Sequence, residues 1–164
     1  MIDDFSTDDT ALIVQSYVGK NIRLLQLKDF LRTHNINSYK KKAIEIGVQH
    51  AFGEVIVTTD ADCVAPANWL WTLAGFYRKN KVVFVAMPVK YQCKNNFLEI
   101  FQALDFITLQ GITGAAVHKK FHSMCNGANL AYCKTAFDNV NGFEGIDALA
   151  SGDDMLLMHK IVKQ

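Results

Sequence analysis

Six aspartates stand in three close pairs, Asp3-Asp4, Asp60-Ala61-Asp62 and Asp153-Asp154. Carboxylates so placed can hold a divalent cation against a phosphate or take a proton from a hydroxyl group. The middle pair is the most informative. Val55-Ile56-Val57-Thr58-Thr59 is β-branched and free of breakers, and it runs into Asp60 and Asp62 with only the small Ala61 between them. Such a run reads as a buried strand. Open α/β sheets bind their ligands at the C-terminal ends of strands. Two acids there repel each other, and burying them unpaired is costly. A divalent ion shared with a substrate phosphate removes that cost, as Mg²⁺ does when held by one or two carboxylates. Asp-x-Asp also occurs by chance, and its plain alternative is a loop that caps a helix before Pro66.

The other acids have structural alternatives of their own. Ser6 and Asp9 fit a capping box for a helix through Leu12 to Tyr17 that ends at Gly19. Asp3 and Asp4 precede that cap, after a short apolar strand tail, Met1-Ile2. Ser151 and Asp154 fit a second capping box, which leaves Asp153 without such a task. Asp154 at a helix N-terminus is favoured in its charged form by the helix dipole.

The elements that must position these acids alternate. Ile22 to Leu27 reads as a strand and 29–37 as a loop without period. Ser38 opens a helix whose apolar face carries Ala43, Ile44, Gly47, Val48 and Ala51. Lys40 lies one turn before Ile44 on the rim of that face, where it could meet a phosphate; Lys41 and Lys42 point more nearly to solvent. A helix from Pro66 through Phe76 and a strand over Val82 to Val89 follow. This alternation predicts a mainly parallel sheet with helices on both faces. Phe97, Ile100, Phe101, Leu104 and Ile107 stripe a long amphipathic helix, read as core, with a surface patch as the second reading. Asn126 to Asn129 makes a turn into a strand at Leu130-Ala131-Tyr132, and a short helix from Lys134 to Val140 is closed by Asn141-Gly142. A last amphipathic helix carries Leu157, Met158, Ile161 and Val162.

Composition sets the bounds. At 164 residues with half of them apolar, one domain with a real core is expected. A net charge of +1 without a basic block gives no reason to expect nucleic acid as a partner. Cys63, Cys93, Cys125 and Cys133 have no paired short spacing, so neither a zinc site nor a disulfide framework is read, and a reducing compartment fits. No signal peptide is read at the N-terminus. The stretch from Phe97 to Val117 holds Glu99, Asp105 and Gln110 and is read as too polar for a membrane span.

Taken together, these blocks resemble family-2 glycosyltransferases from Met1 to about Lys160. Asp3-Asp4-Phe5-Ser6-Thr7-Asp8 resembles the family's early Asp-Asp-x-Ser-x-Asp motif. Lys40 with Ala43-Ile44, then Ala51-Phe52-Gly53-Glu54 leading into Asp60-Ala61-Asp62, is similar to its next block. Gly127-Ala128-Asn129-Leu130-Ala131 and Asn141-Gly142-Phe143 match a third, and Gly152-Asp153-Asp154 looks like its Glu-Asp catalytic motif. The resemblance implies a GT-A fold, a Rossmann-like, mainly parallel α/β sheet flanked by helices, in one domain over 1–164. It also implies an inverting transfer of a sugar from a nucleotide-diphospho-sugar, a UDP-sugar, to a hydroxyl of a saccharide or lipid-linked acceptor. By the same carry-over Asp3 and Asp4 meet uracil and ribose, Lys40 lies near the nucleotide, and Asp60 with Ala61 contacts the donor. Asp62 holds Mn²⁺ or Mg²⁺ on the diphosphate, and Asp154 is the general base. Asp153 stands where the family has Glu, one methylene shorter, which leaves open which of the two is the base. The family's usual first strand and the Gln-x-x-Arg-Trp motif of processive members are missing. A fragment of a longer enzyme is therefore expected, with little or no turnover by itself. The aromatic helix resembles that of membrane-associated members that build cell-envelope polysaccharide, which implies action in the cytoplasm at the inner membrane face.

Two other readings use the same residues. One is a GT-A-like domain that binds a nucleotide-sugar without catalysis. The other is a different Mg²⁺ enzyme on an α/β sheet, a nucleotidyltransferase or phosphatase, which would use Asp60 and Asp62 but has no need of Asp154.

Overall fold

The structure is a computed structural model that describes residues 1–19, 21–31, 36–121 and 124–164. The β-branched run forms the expected strand, β3 (Val55–Thr58), and stops just before the acids. Before it come β1 (Ile2–Asp3), α1 (Thr10–Gln15), β2 (Leu25–Gln26) with a 3-10 turn (Leu27–Asp29), and α2 (Tyr39–Gln49). After it come α3 (Trp69–Asn80), β4 (Phe84–Ala86), α4 (Phe97–His118), a 3-10 turn (Gly127–Asn129), β5 (Leu130–Cys133), α5 (Lys134–Asn139) and α6 (Met155–Val162). The loop expected over 29–37 falls partly on 32–35, outside the described residues.

The expected mainly parallel sheet is corrected. β1 and β2 form a parallel pair, Ile2 opposite Leu25 and Asp3 opposite Gln26. The three-stranded sheet has the order β3-β5-β4, and both of its ladders are antiparallel. β5 inserts between two strands that run the same way, with Val55 opposite Cys133 and Phe84 opposite Tyr132. The reason is burial. Leu130, Ala131 and Tyr132 are all inaccessible to solvent, so this strand takes the central place whichever way the chain delivers it. The fold is α/β with a small parallel part.

Tyr132 centres the core with Val48, Ile56, Phe137, Phe143, Leu157 and Ile161 around it. Its ring stacks on Phe137 at 5.7 Å, and Phe137 meets Phe143 edge-on at 5.5 Å. The Asn141-Gly142 turn closes α5 as expected, both residues having positive φ. A side chain at Gly142 would stand 2.8 Å from the Phe137 ring, so glycine is needed there for space as well as conformation.

Four helix expectations are corrected. Ser6 caps nothing: its amide donates to Asp3, Asp8 accepts from the Thr10 amide, and α1 starts at Thr10. Ser151 is not the cap of α6; Asp154 is. α3 starts at Trp69, one turn after Pro66, whose carbonyl accepts from the Trp69 amide at 3.0 Å. The aromatic stripe of α4 is not core. Of this helix only Ala103 is buried, while Phe97, Phe101, Leu104 and Ile107 are exposed. The helix spans about 33 Å by its rise per residue. It is fastened by Gln110, which both donates to and accepts from the Val89 backbone, and by Tyr91 packed on Phe106 at 4.5 Å.

Candidate functional site

The first turn of α2 organises the acids. Ser38 caps it, accepting the Lys41 amide at 3.4 Å. Lys40, half exposed, then reaches two carboxylates from distant parts of the chain: Asp60 at 3.1 Å and Asp153 at 3.2 Å. Burial works against its charge, but Asp153 and Asp60 outweigh that and hold the ammonium above the ordinary lysine value. The strand end and the Asp153-Asp154 pair thus share one cation.

Asp154 is secured differently. Its Oδ2 accepts the Gly127 amide at 2.9 Å and its Oδ1 the Met155 amide at 2.6 Å. The Gly127 carbonyl in turn accepts from Thr58 Oγ1 at 3.3 Å, across 69 residues. Gly127 is therefore the joint between the end of β3 and the start of α6. A Cβ there would stand 3.3 Å from an Asp153 oxygen and 3.5 Å from Asp154, a tight fit that glycine avoids. Asn129, from the same block, accepts from the Trp69 indole and donates to the Pro88 carbonyl, both at 3.0 Å, tying α3 to the segment after β4.

Lys41 was expected to point to solvent and does the opposite. It is 2% exposed, and its ammonium donates to the carbonyls of Ile146, Leu149 and Ser151 at 2.7, 2.7 and 2.8 Å. The signal was present in the sequence: Lys41 lies seven residues before Val48 and so shares its buried face. Lys42 is partly exposed and pairs with Glu45 at 3.0 Å. Cys125, which the sequence did not single out, lies close enough to feel the acids. Burial first, then Asp154 and Asp153, push its thiol up to about 12.

The remaining expected residues stand apart from this network. Asp3 is buried and closes its own turn, accepting the Ser6 amide at 3.3 Å and Gln26 Nε2 at 3.4 Å. Asp4 is exposed, and desolvation followed by the Asp3 charge raises its carboxyl above the usual range. Phe5 meets Tyr39 edge-on at 5.9 Å, which brings this turn against the start of α2. Ala61 and Asp62 are exposed in the turn after β3, where an Asp62 oxygen faces Cys63 Sγ at 3.8 Å.

A lysine bridging two carboxylates at one strand end, beside a carboxylate fixed by two amides, leaves an excess of negative charge that can attract a cation or receive a proton. The comparison with known families agrees with that chemistry. A model of glycosyl transferase family 2 matches residues 1–140, which takes in Asp3, Asp4, Lys40, Asp60, Ala61, Asp62 and Gly127 and stops before Asp153 and Asp154. No curated protein matches the chain. Because the match covers most of its length, the chain belongs to glycosyl transferase family 2.

Proposed function

We propose that the chain is a single GT-A-type domain that moves a sugar, with inversion, from a UDP-sugar to an acceptor hydroxyl of a saccharide or lipid-linked substrate. The observation that carries this is the Lys40 bridge, which draws the end of β3 and the Asp153-Asp154 pair together. In this reading Lys40 and Asp60 face the nucleotide, with the Asp3-Asp4 turn beside the start of α2. The bond between the anomeric carbon and the diphosphate breaks, the acceptor oxygen takes its place, and the acceptor proton passes to Asp154. Each Asp154 oxygen that accepts an amide keeps a lone pair for that proton. A second reading assigns the proton to Asp153, because both Asp154 oxygens already carry backbone donors.

A metal fits the residues present. Asp62 is an exposed carboxylate whose recorded contact, with a thiol, is weak. Such a group suits a hard ion, Mg²⁺ or Mn²⁺, held jointly with substrate phosphates. Among the described residues no three His, Cys, Asp or Glu side chains converge into an all-protein cage. When bound, the ion neutralises charge on the leaving diphosphate as a Lewis acid. We also propose that the protein acts in the cytoplasm at the inner membrane face, a reading supported by the exposed apolar stripe of α4. The reading of this stretch as too polar to span is corrected on one point: by length and composition alone α4 is long and apolar enough to cross a membrane, and it is almost wholly unburied.

The test is a thermal-shift screen of UDP and UDP-sugars with and without Mn²⁺ or Mg²⁺, followed by product analysis. Ligand at one hundred times its Kd stabilises by about 2.7 kcal/mol. Stabilisation by a UDP-sugar is expected, and whatever slow transfer or hydrolysis occurs is expected to release UDP. Release of pyrophosphate or inorganic phosphate would replace the reading with a nucleotidyltransferase or a phosphatase.

A further inference from the structure

We infer that Lys41 is a positioning residue for the Asp153-Asp154 pair, its buried ammonium holding the loop 146–151 in the one arrangement that aims both carboxylates. The inference takes these acids as the reacting groups and so rests on the function proposed above.

A lysine ammonium has three N–H donors and no acceptor. Here the three meet three carbonyls, those of Ile146, Leu149 and Ser151, more than one hundred residues away in sequence. The ion pairs among the described residues are Lys40–Asp60, Lys40–Asp153 and Lys42–Glu45, so the charge of Lys41 is met by carbonyl dipoles. A buried charge is tolerated only when it is paired or hydrogen-bonded in this way. The same helix turn adds Ser38 Oγ, which donates to the Ala150 carbonyl at 3.3 Å. Carbonyls drawn to one point repel one another, and the cation between them removes that repulsion. The ammonium of Lys41 therefore holds the loop in this shape.

The consequence reaches the acids within two residues. Ser151 is the last carbonyl held, and Gly152 follows with φ of +81°, a conformation suited to glycine. Asp153 and Asp154 come next and point to Lys40 and Gly127. Consecutive helix residues project about 100° apart. Lys40 thus grips Asp153 on the exposed side of α2 while Lys41 grips the preceding loop on the buried side.

The experiment compares Lys41→Met with the wild-type chain and with Lys134→Met. Lys134 also donates to a carbonyl, that of Ala51 at 2.9 Å, but away from the loop. The readout is the Gly127 amide in ¹H–¹⁵N spectra, because its bond to Asp154 reports the aim of the pair. In Lys41→Met the Gly127 resonance is expected to move and its hydrogen exchange to quicken about tenfold or more. In Lys134→Met both stay as in wild type. Where turnover of a UDP-sugar is measurable, kcat is expected to fall by about tenfold to a hundredfold while the donor KM stays within about twofold. Should Lys41→Met fail to fold, Lys41→Gln is read in the same way. A folded Lys41 variant with an unmoved Gly127 amide overturns the inference. A moved amide in a chain that releases pyrophosphate or inorganic phosphate instead of UDP upholds the positioning and removes the proposed reaction instead.

Discussion

Asp154→Asn separates the two tasks assigned to that side chain. The substitution keeps the shape, removes the charge and leaves one acceptor oxygen where there were two. Asn caps a helix about as well as Asp, so the Met155 amide can keep its partner. The Gly127 amide then faces an NH₂ group. Gly127 is buried, so water does not replace the lost acceptor. A hydrogen bond to a charged group contributes about 1.5–3 kcal/mol. For a chain of this size each kcal/mol moves the melting temperature by about 2–4 °C, which gives a fall of roughly 3–12 °C. Asp153→Asn is the comparison. It loses an ion pair to a half-exposed lysine, which is worth at most about 1 kcal/mol after solvent screening. Thermal melts of the two variants should therefore differ, with Asp154→Asn the lower. UDP release from a UDP-sugar gives the second axis, where loss of a general base lowers the rate by about 10²–10⁴. If Asp154→Asn melts with the wild type, the Gly127–Asp154 joint does not carry the energy assigned to it. If it melts low but releases UDP at the wild-type rate, the base is Asp153.

The other predictions probe the Lys40 bridge, a cysteine and a surface. Lys40→Met is expected to change stability by no more than about 1 kcal/mol in a thermal melt, because the lysine is half exposed, yet to weaken UDP-sugar binding in a titration. With its thiol pushed from 9.0 up to about 12, Cys125 stays protonated at neutral pH, and mass mapping after brief alkylation is expected to find Cys93 modified first. The folded state binds the Cys125 proton more tightly than the unfolded chain, so stability is expected to fall as pH rises from about 9 towards 12, and Cys125→Ala is expected to remove that part of the fall in pH-dependent melts. Phe101→Glu with Leu104→Glu on the exposed stripe of α4 is expected to leave the melting temperature within about 1 °C and to reduce cosedimentation with anionic lipid vesicles, if that face meets a membrane.

What could be read from the sequence was local. β3 ends at Thr58 beside its acids because β-branched residues and the absence of breakers act over a few positions. Ser38 caps α2, and Asn141-Gly142 closes α5, because these residue types satisfy chain ends or accept positive φ wherever they occur. Lys40 at the rim of α2 follows from helical spacing, and the order of the motif blocks was enough to indicate the family. What only the tertiary structure decided was which distant groups meet. The alternation of elements did not reveal that β5 runs backwards between β3 and β4, because strand order is set by which strand can be covered on both faces. Ser151 and Asp154 fitted a capping box, but the second Asp154 oxygen turned out to hold Gly127, 27 residues earlier. The stripe of α4 has the pattern of a core helix and lies exposed, since amphipathic spacing says which face is apolar and not what covers it. Helical spacing puts Lys41 on the buried face with Val48, but only the fold supplies the three loop carbonyls that let its charge be buried there.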